Sequence, residues 1–142
     1  YLTLAERFGP LDNNAVGLRD GARAYITGAS FWELDWAQAI FYFEQVAAGW
    51  PSLWDGTMTA AQRYFIALVR YGDELFAKED YCAAYDAYVA ASSVGALDAN
   101  SAGNMNYALL QCYPPTEVPT VIPTSEVPPT EPPTEVVPTP TP

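Results

Sequence analysis

The chain contains no histidine. That absence removes the side chain most often used as a general base near neutral pH, and the commonest metal ligand with it. Any catalysis would have to run on carboxylates, tyrosines or the two cysteines, so the protein is read as a non-enzyme with no cofactor and no metal site. Cations are scarce: six Lys and Arg stand against 17 Asp and Glu, giving a net charge of −11. A surface this acidic repels phosphate backbones, and no nucleic-acid partner is expected. No apolar run approaches the roughly 20 residues that a spanning helix needs, so no membrane span is expected. There is no Asn-x-Ser/Thr sequon, which argues against N-glycans. The sequence opens at Tyr1 with no visible secretory leader, and reads as a processed mature protein or one whose first residues are not included.

What is present divides in two. From Tyr113 to Pro142 the chain holds 11 of its 13 prolines, with seven threonines, one serine and four glutamates, and no Lys, Arg or Gly. Proline lacks the amide proton that helices and inner strands use, and it pushes the preceding residue towards extended geometry. Residues 114–142 are therefore expected to form a polyproline II tail, roughly 90 Å long if straight at about 3 Å per residue. Such a segment cannot build a core of its own. Residues 1–113 are rich in Ala, Leu, Tyr, Phe and Trp and suffice for one domain.

That body reads as helices. Apolar residues recur at helical spacing through Val16, Leu18, Ala22, Tyr25 and Ile26, with Gly28 as the expected stop. Asp35 and Gln38 stand at capping-box spacing before a second helix ending at Gly49 and Pro51. Thr59 and Gln62 open a third, running to about Lys78; Asp80 caps a fourth, and a fifth spans about Asn100 to Cys112. Asp35, Trp36, Ala39, Phe43 and Val46 match Asp80, Tyr81, Ala84, Tyr88 and Ala91, each 45 residues later. A period of this size signals stacked helical pairs.

The pattern of an acidic cap with an aromatic, then Ala, an aromatic and a small apolar residue resembles the second helix of a tetratricopeptide repeat (TPR). In that resemblance Gly21 and Gly72 stand at the small position of the first helices, Gly28 at the inter-helix turn and Pro51 at the closing proline. It implies an all-α fold: a short TPR-like α-solenoid of about five helices, two repeats plus a capping helix. Ala29–Leu34 and Gly49–Gly56 are insertions relative to the family period, Gly17 replaces a usual large apolar residue, and Tyr1–Phe8 looks like the end of a preceding second helix. The resemblance also implies that first helices line a concave face, with Arg19 and Arg70 at equivalent groove positions and Tyr25 and Phe76 two turns on.

In an up-down-up stack, Cys82 at the start of one helix and Cys112 at the end of the next share an edge of the domain. A disulfide there is expected, worth about 3–4 kcal/mol by the chain-entropy model; two buried thiols are the alternative. Disulfides persist outside the cytosol. The carboxylates Glu33, Asp35, Glu44, Asp73, Glu74, Glu79 and Asp80 read as caps and solvated faces rather than a catalytic pair. The run from Asp98 to Asn106 has calcium-like spacing, but Ala102 and Leu109 occupy ligand positions, so helix capping explains it better. Trp32, Trp50 and Trp54 lie in the insertions, either as core filling or as platforms for prolines or sugars.

Two functions compete. One is a secreted structural subunit of a filament or surface assembly at the cell surface or beyond it. Copies of the chain would self-associate through the body and the tail, with O-glycans on Thr116, Thr120, Thr124, Ser125, Thr130, Thr134, Thr139 and Thr141. This arrangement resembles bacterial secreted tetratricopeptide proteins with Pro-Thr tails. The other is a cell-surface adaptor that binds a foreign peptide in the groove and uses the tail as a stalk.

Overall fold

The computed structural model describes residues 1–114; the expected polyproline rod and its eight hydroxyl sites lie outside them. Among the described residues there are six α-helices and no strand: α1 (Leu2–Ala5), α2 (Asn13–Ser30), α3 (Trp36–Gly49), α4 (Ala60–Ala77), α5 (Tyr81–Val94) and α6 (Ala99–Cys112). The four helices expected from Asp35 onward fall within about a residue of their predicted bounds. The added element is α1, a single turn where the end of a longer helix was expected.

Side chains that satisfy orphan N–H groups set the helix starts. Asp12, Asp35, Thr59, Asp80 and Asp98 cap α2 to α6, accepting from the backbone N–H of Ala15, Gln38, Gln62, Ala83 and Ser101. The Thr59–Gln62 box closes in both directions, with Thr59 N–H donating to Gln62 Oε1 at 2.8 Å. The end of α4 is a Schellman motif: Asp80 N–H reaches Leu75 O at 3.0 Å, and Glu79 N–H reaches Phe76 O at 3.0 Å. Asp80 thus closes one helix and caps the next, which explains the tight α4–α5 turn. Glu79 takes the left-handed position with φ of 61°, where glycine is usual.

Each of α2 to α5 packs on the helix that follows it, α1 lies on α2, and α4 also touches α6. α2 and α6 therefore stand at opposite ends of the row. The 45-residue likeness is physical: Ala39, Phe43 and Val46 of α3, and Ala84, Tyr88 and Ala91 of α5, are all fully buried. Phe43 belongs to one core cluster with Tyr25 and Ala67, and Tyr88 to a second with Leu75 and Ala108.

Gly28 is not the stop or the inter-helix turn. α2 continues to Ser30, and Gly28 lies where Phe43 crosses: a Cβ there would stand 3.0 Å from Tyr42 Cβ and 3.4 Å from the Phe43 ring. Gly72 does the same for Tyr88, whose ring lies 2.8 Å from where a Cβ would be. Gly28, rather than Gly21, is thus the counterpart of Gly72. Gly21 and Gly17 instead receive the Trp50 indole, 2.7 and 3.2 Å from their would-be Cβ atoms. The missing bulk at Gly17 is supplied by Trp50. In the first insertion, Ala29 and Ser30 extend α2, Phe31 stacks on Tyr42 at 5.9 Å, and Trp32 packs edge-on to Trp36 at 5.1 Å.

Cys82, in the first turn of α5, meets Cys112, the last residue of α6, with the sulfurs 2.01 Å apart. Phe76, Tyr81 and Tyr107 form a ring trio at the same edge, with centroids 5.5 to 5.6 Å apart.

Two outcomes follow from this packing, both readable from thermal or denaturant midpoints. Gly72→Ala should lose about 1–2 kcal/mol, because overpacking against Tyr88 outweighs the gain in helix propensity. Gly103→Ala, with nothing within 4 Å of its would-be Cβ, should gain up to about 1 kcal/mol.

Glu79→Gly should raise stability by about 1 kcal/mol, since it relieves a left-handed conformation that L-residues adopt at a cost. An unchanged or lower melting temperature would contradict this account of the α4–α5 turn.

Candidate functional site

The second insertion, between α3 and α4, folds around one carboxylate. Asp55 Oδ1 accepts from Thr57 N–H at 2.8 Å, Thr57 Oγ1 at 2.7 Å and Met58 N–H at 2.9 Å. Its Oδ2 accepts from the Tyr25 hydroxyl at 2.6 Å and from Arg63 Nη2 at 2.6 Å. The Arg63 guanidinium also lies over the Trp32 ring, 4.6 Å from its centroid. The loop is thereby tied to α2 through Tyr25, to α4 through Arg63 and to the first insertion through Trp32. The Tyr25 bond, with the bonds from Met58 and Thr57, holds the Asp55 carboxyl well below the usual carboxylate range. Burial, and then the bond to Asp55, raise the Tyr25 phenol. Asp55 was not among the expected site residues; the Asp55-Gly56 dipeptide, with Gly56 at φ 101°, is the turn signal that marks it.

This network removes several residues from the expected docking surface. Tyr25 is buried and committed to Asp55. Trp32 packs against Trp36, Phe43 and Arg63, and Trp50 against Gly17 and Gly21, so both fill seams rather than offer platforms. Phe76 sits in the ring trio with Tyr81 and Tyr107. Trp54 differs, at 65% exposed.

Arg19 and Arg70 are not equivalent. With Gly28 as the counterpart of Gly72, the residue matching Arg70 is Ile26, and Phe76 matches Trp32. The rings agree: Trp32 is edge-on to Trp36, and Phe76 is edge-on to Tyr81. Arg19 instead pairs with Glu6 and with Asp20, joining the N-terminal segment to α2.

Two recesses lie beside α4 and α2. One, about 300 Å³, is lined by Phe65, Ile66 and Arg70 of α4 and by Asp98, Asn100 and Ser101 at the start of α6. Arg70 is 60% exposed there, 3.6 Å from Asp73. Asp73 accepts the Tyr88 hydroxyl at 2.7 Å, and burial together with that bond pushes the Tyr88 phenol up to about 12. The Asp98 carboxyl is lowered by the backbone N–H of Ser101 that it caps. The recess offers one cation between two engaged carboxylates. The other recess, about 190 Å³, is apolar and lined by Ala22, Tyr25, Ile26, Leu53, Trp54 and Asp55. Ile26 is 70% exposed at its rim.

The two end helices also present apolar side chains. Leu18 and Ile26 of α2, with Tyr1, Leu4 and Phe8 before it, are exposed at one end; Tyr107, Leu110 and Tyr113 are exposed at the other. No described helix is long and apolar enough to cross a membrane, and no group of three or more acidic or cysteine side chains among the described residues is arranged to hold a metal.

Comparison of the chain with family models, with curated proteins and with solved structures gives no match.

Asp55→Asn should lower the melting temperature at neutral pH. A carboxylate with a depressed folded pKa contributes fully above its unfolded value near 4, and the contribution is lost as pH falls below that. The gap between parent and variant should therefore stay constant from about pH 8 to pH 5 and narrow below pH 4. A gap that is the same at pH 3 as at pH 7 would contradict this role for Asp55.

Proposed function

We propose that this protein is a non-enzymatic structural subunit of an extracellular filament or surface assembly, built on a short TPR-like solenoid and carrying O-glycans on its Pro/Thr tail. The observation that carries the reading is the pair of unlike apolar ends: Leu18 with Leu4 and Phe8 at the α2 end, Tyr107, Leu110 and Tyr113 at the α6 end. Solenoid units bury their cores against neighbours, and an open end favours another copy. Two different patches meeting head to tail make a heterologous contact, which extends without closing when the rotation does not return to the start. The cysteine pair at bonding distance is compatible with an oxidising compartment. The tail, with hydroxyls on a proline-rich segment, suits O-glycan attachment.

The exposed Arg70 beside its recess favours a second reading, a surface adaptor that clamps a foreign peptide. The two differ in solution behaviour. The filament reading expects polymers by negative-stain electron microscopy, and an intact mass above that of the bare sequence in material from the native source. Leu110→Asp, at an exposed position, should abolish the polymers without altering the helical circular dichroism. A parent chain that stays monomeric at high concentration would exclude the filament and leave the adaptor.

A further inference from the structure

Beyond Pro114 the chain has 28 more residues, and from Pro114 onward they carry a nine-residue pattern: PPTEVPTVI, PTSEVPPTE, PPTEVVPTP. It places Thr116, Ser125 and Thr134 in one register, Glu117, Glu126 and Glu135 in the next, and Val118, Val127 and Val136 in the third. A polyproline II helix has three residues per turn, so nine residues make three whole turns, roughly 28 Å. In the extended geometry the composition predicts, every glutamate of the series returns to one edge and every valine to the adjacent edge. A repeat of this kind presents the same acidic and apolar ligand three times.

Among the described residues, a complementary receptor lies beside α2. The apolar recess of Ala22, Ile26, Leu53 and Trp54 is continuous, through Ala22 and Ile26, with a second recess lined by Arg19 and Arg23. Arg23 is 59% exposed and 3.8 Å from its nearest carboxylate, Asp20. The other described cations on the helices are worse placed to meet a glutamate. Arg63 is committed to Asp55 and Trp32, Arg70 stands between Asp73 and Asp98, and Lys78 is paired with Glu74. In the first two units the valine is followed by Pro119 or Pro128; Val-Pro against an exposed indole is the usual chemistry of proline-rich recognition, and a glutamate one residue away reaches towards Arg23.

We infer that the Ile26–Trp54 recess with Arg23 is the docking site for the Thr/Ser-Glu-Val units of the tail of a second copy. This rests on the head-to-tail reading above. The tail leaves from the α6 end, the recess is at the α2 end, and stacking brings the α2 end of the next copy to the point where the tail departs. One unit then occupies the neighbour's recess.

The test uses the full chain with Val127 replaced by a photo-crosslinking phenylalanine, mixed from isotopically light and heavy copies. Cross-links are expected on segments 22–26 and 53–55, joining light to heavy chains. Trp54→Ala and Arg23→Glu, both at exposed positions, should each reduce the yield at least fivefold with unchanged helical circular dichroism. Cross-links confined to another face, yields unaffected by both substitutions, or links within single copies alone would overturn the inference. Filaments are scored on the same samples. Assembly without the cross-link overturns the docking and leaves the filament standing; the cross-link between copies without assembly upholds the docking and overturns the filament.

Discussion

Each helical pair closes on one aromatic ring seated against one glycine, Phe43 on Gly28 and Tyr88 on Gly72. The contact sets how closely the helices approach, because any side chain at the glycine would occupy the space of the ring. It also explains the alanines that flank each ring: Ala39 and Ala84 are buried at the same crossing, where a larger residue would hold the helices apart. Burying a ring of this size contributes on the order of 2–3 kcal/mol, and the entire row is organised around two such rings. The repeated acidic cap and aromatic edge pair, Asp35 with Trp32–Trp36 and Asp80 with Phe76–Tyr81, keep them in register.

Within this repeat the two pairs diverge beside their recesses. The position occupied by Ile26 in the first pair is taken by Arg70 in the second, so the recesses beside them are apolar at one end and polar at the other. The long α3–α4 connection sharpens the difference. Trp50 fills the glycine face of α2, Asp55 anchors the loop to Tyr25 and Arg63, and Trp54 is left outside. Arg63 is absorbed by structure, and Arg70 is the cation of α4 left facing outward.

The helix starts were legible because capping is local chemistry: Asp35, Thr59, Asp80 and Asp98 stand three residues before the N–H groups they satisfy. The buried set Ala39, Phe43, Val46 was legible because it recurs. Gly28 was not, since a glycine after an apolar stripe signals a helix stop as readily as it marks a close crossing. The inward face of α2 was obscured for the same reason: it is largely glycine, filled by rings from Trp50 and Phe43, so Leu18 and Ile26 resembled core residues although they face outward. The Asp55 network joins residues 30 and 8 positions away, and no spacing rule connects them.

Charge constrains how such a chain could meet another copy. At −11, approach through an average surface is repulsive. α6 carries no charged residue from Ala99 to Cys112, and its outward residues include Gly103, Asn106, Tyr107 and Leu110. The segment up to α2 holds Arg7, Arg19 and Arg23, half of all the cations. On the reading proposed above, the contact between copies sets the uncharged end against the least acidic end. The body's remaining acidity, carried between residues 31 and 98, then disfavours side-by-side association and leaves growth along the row as the direction of least repulsion.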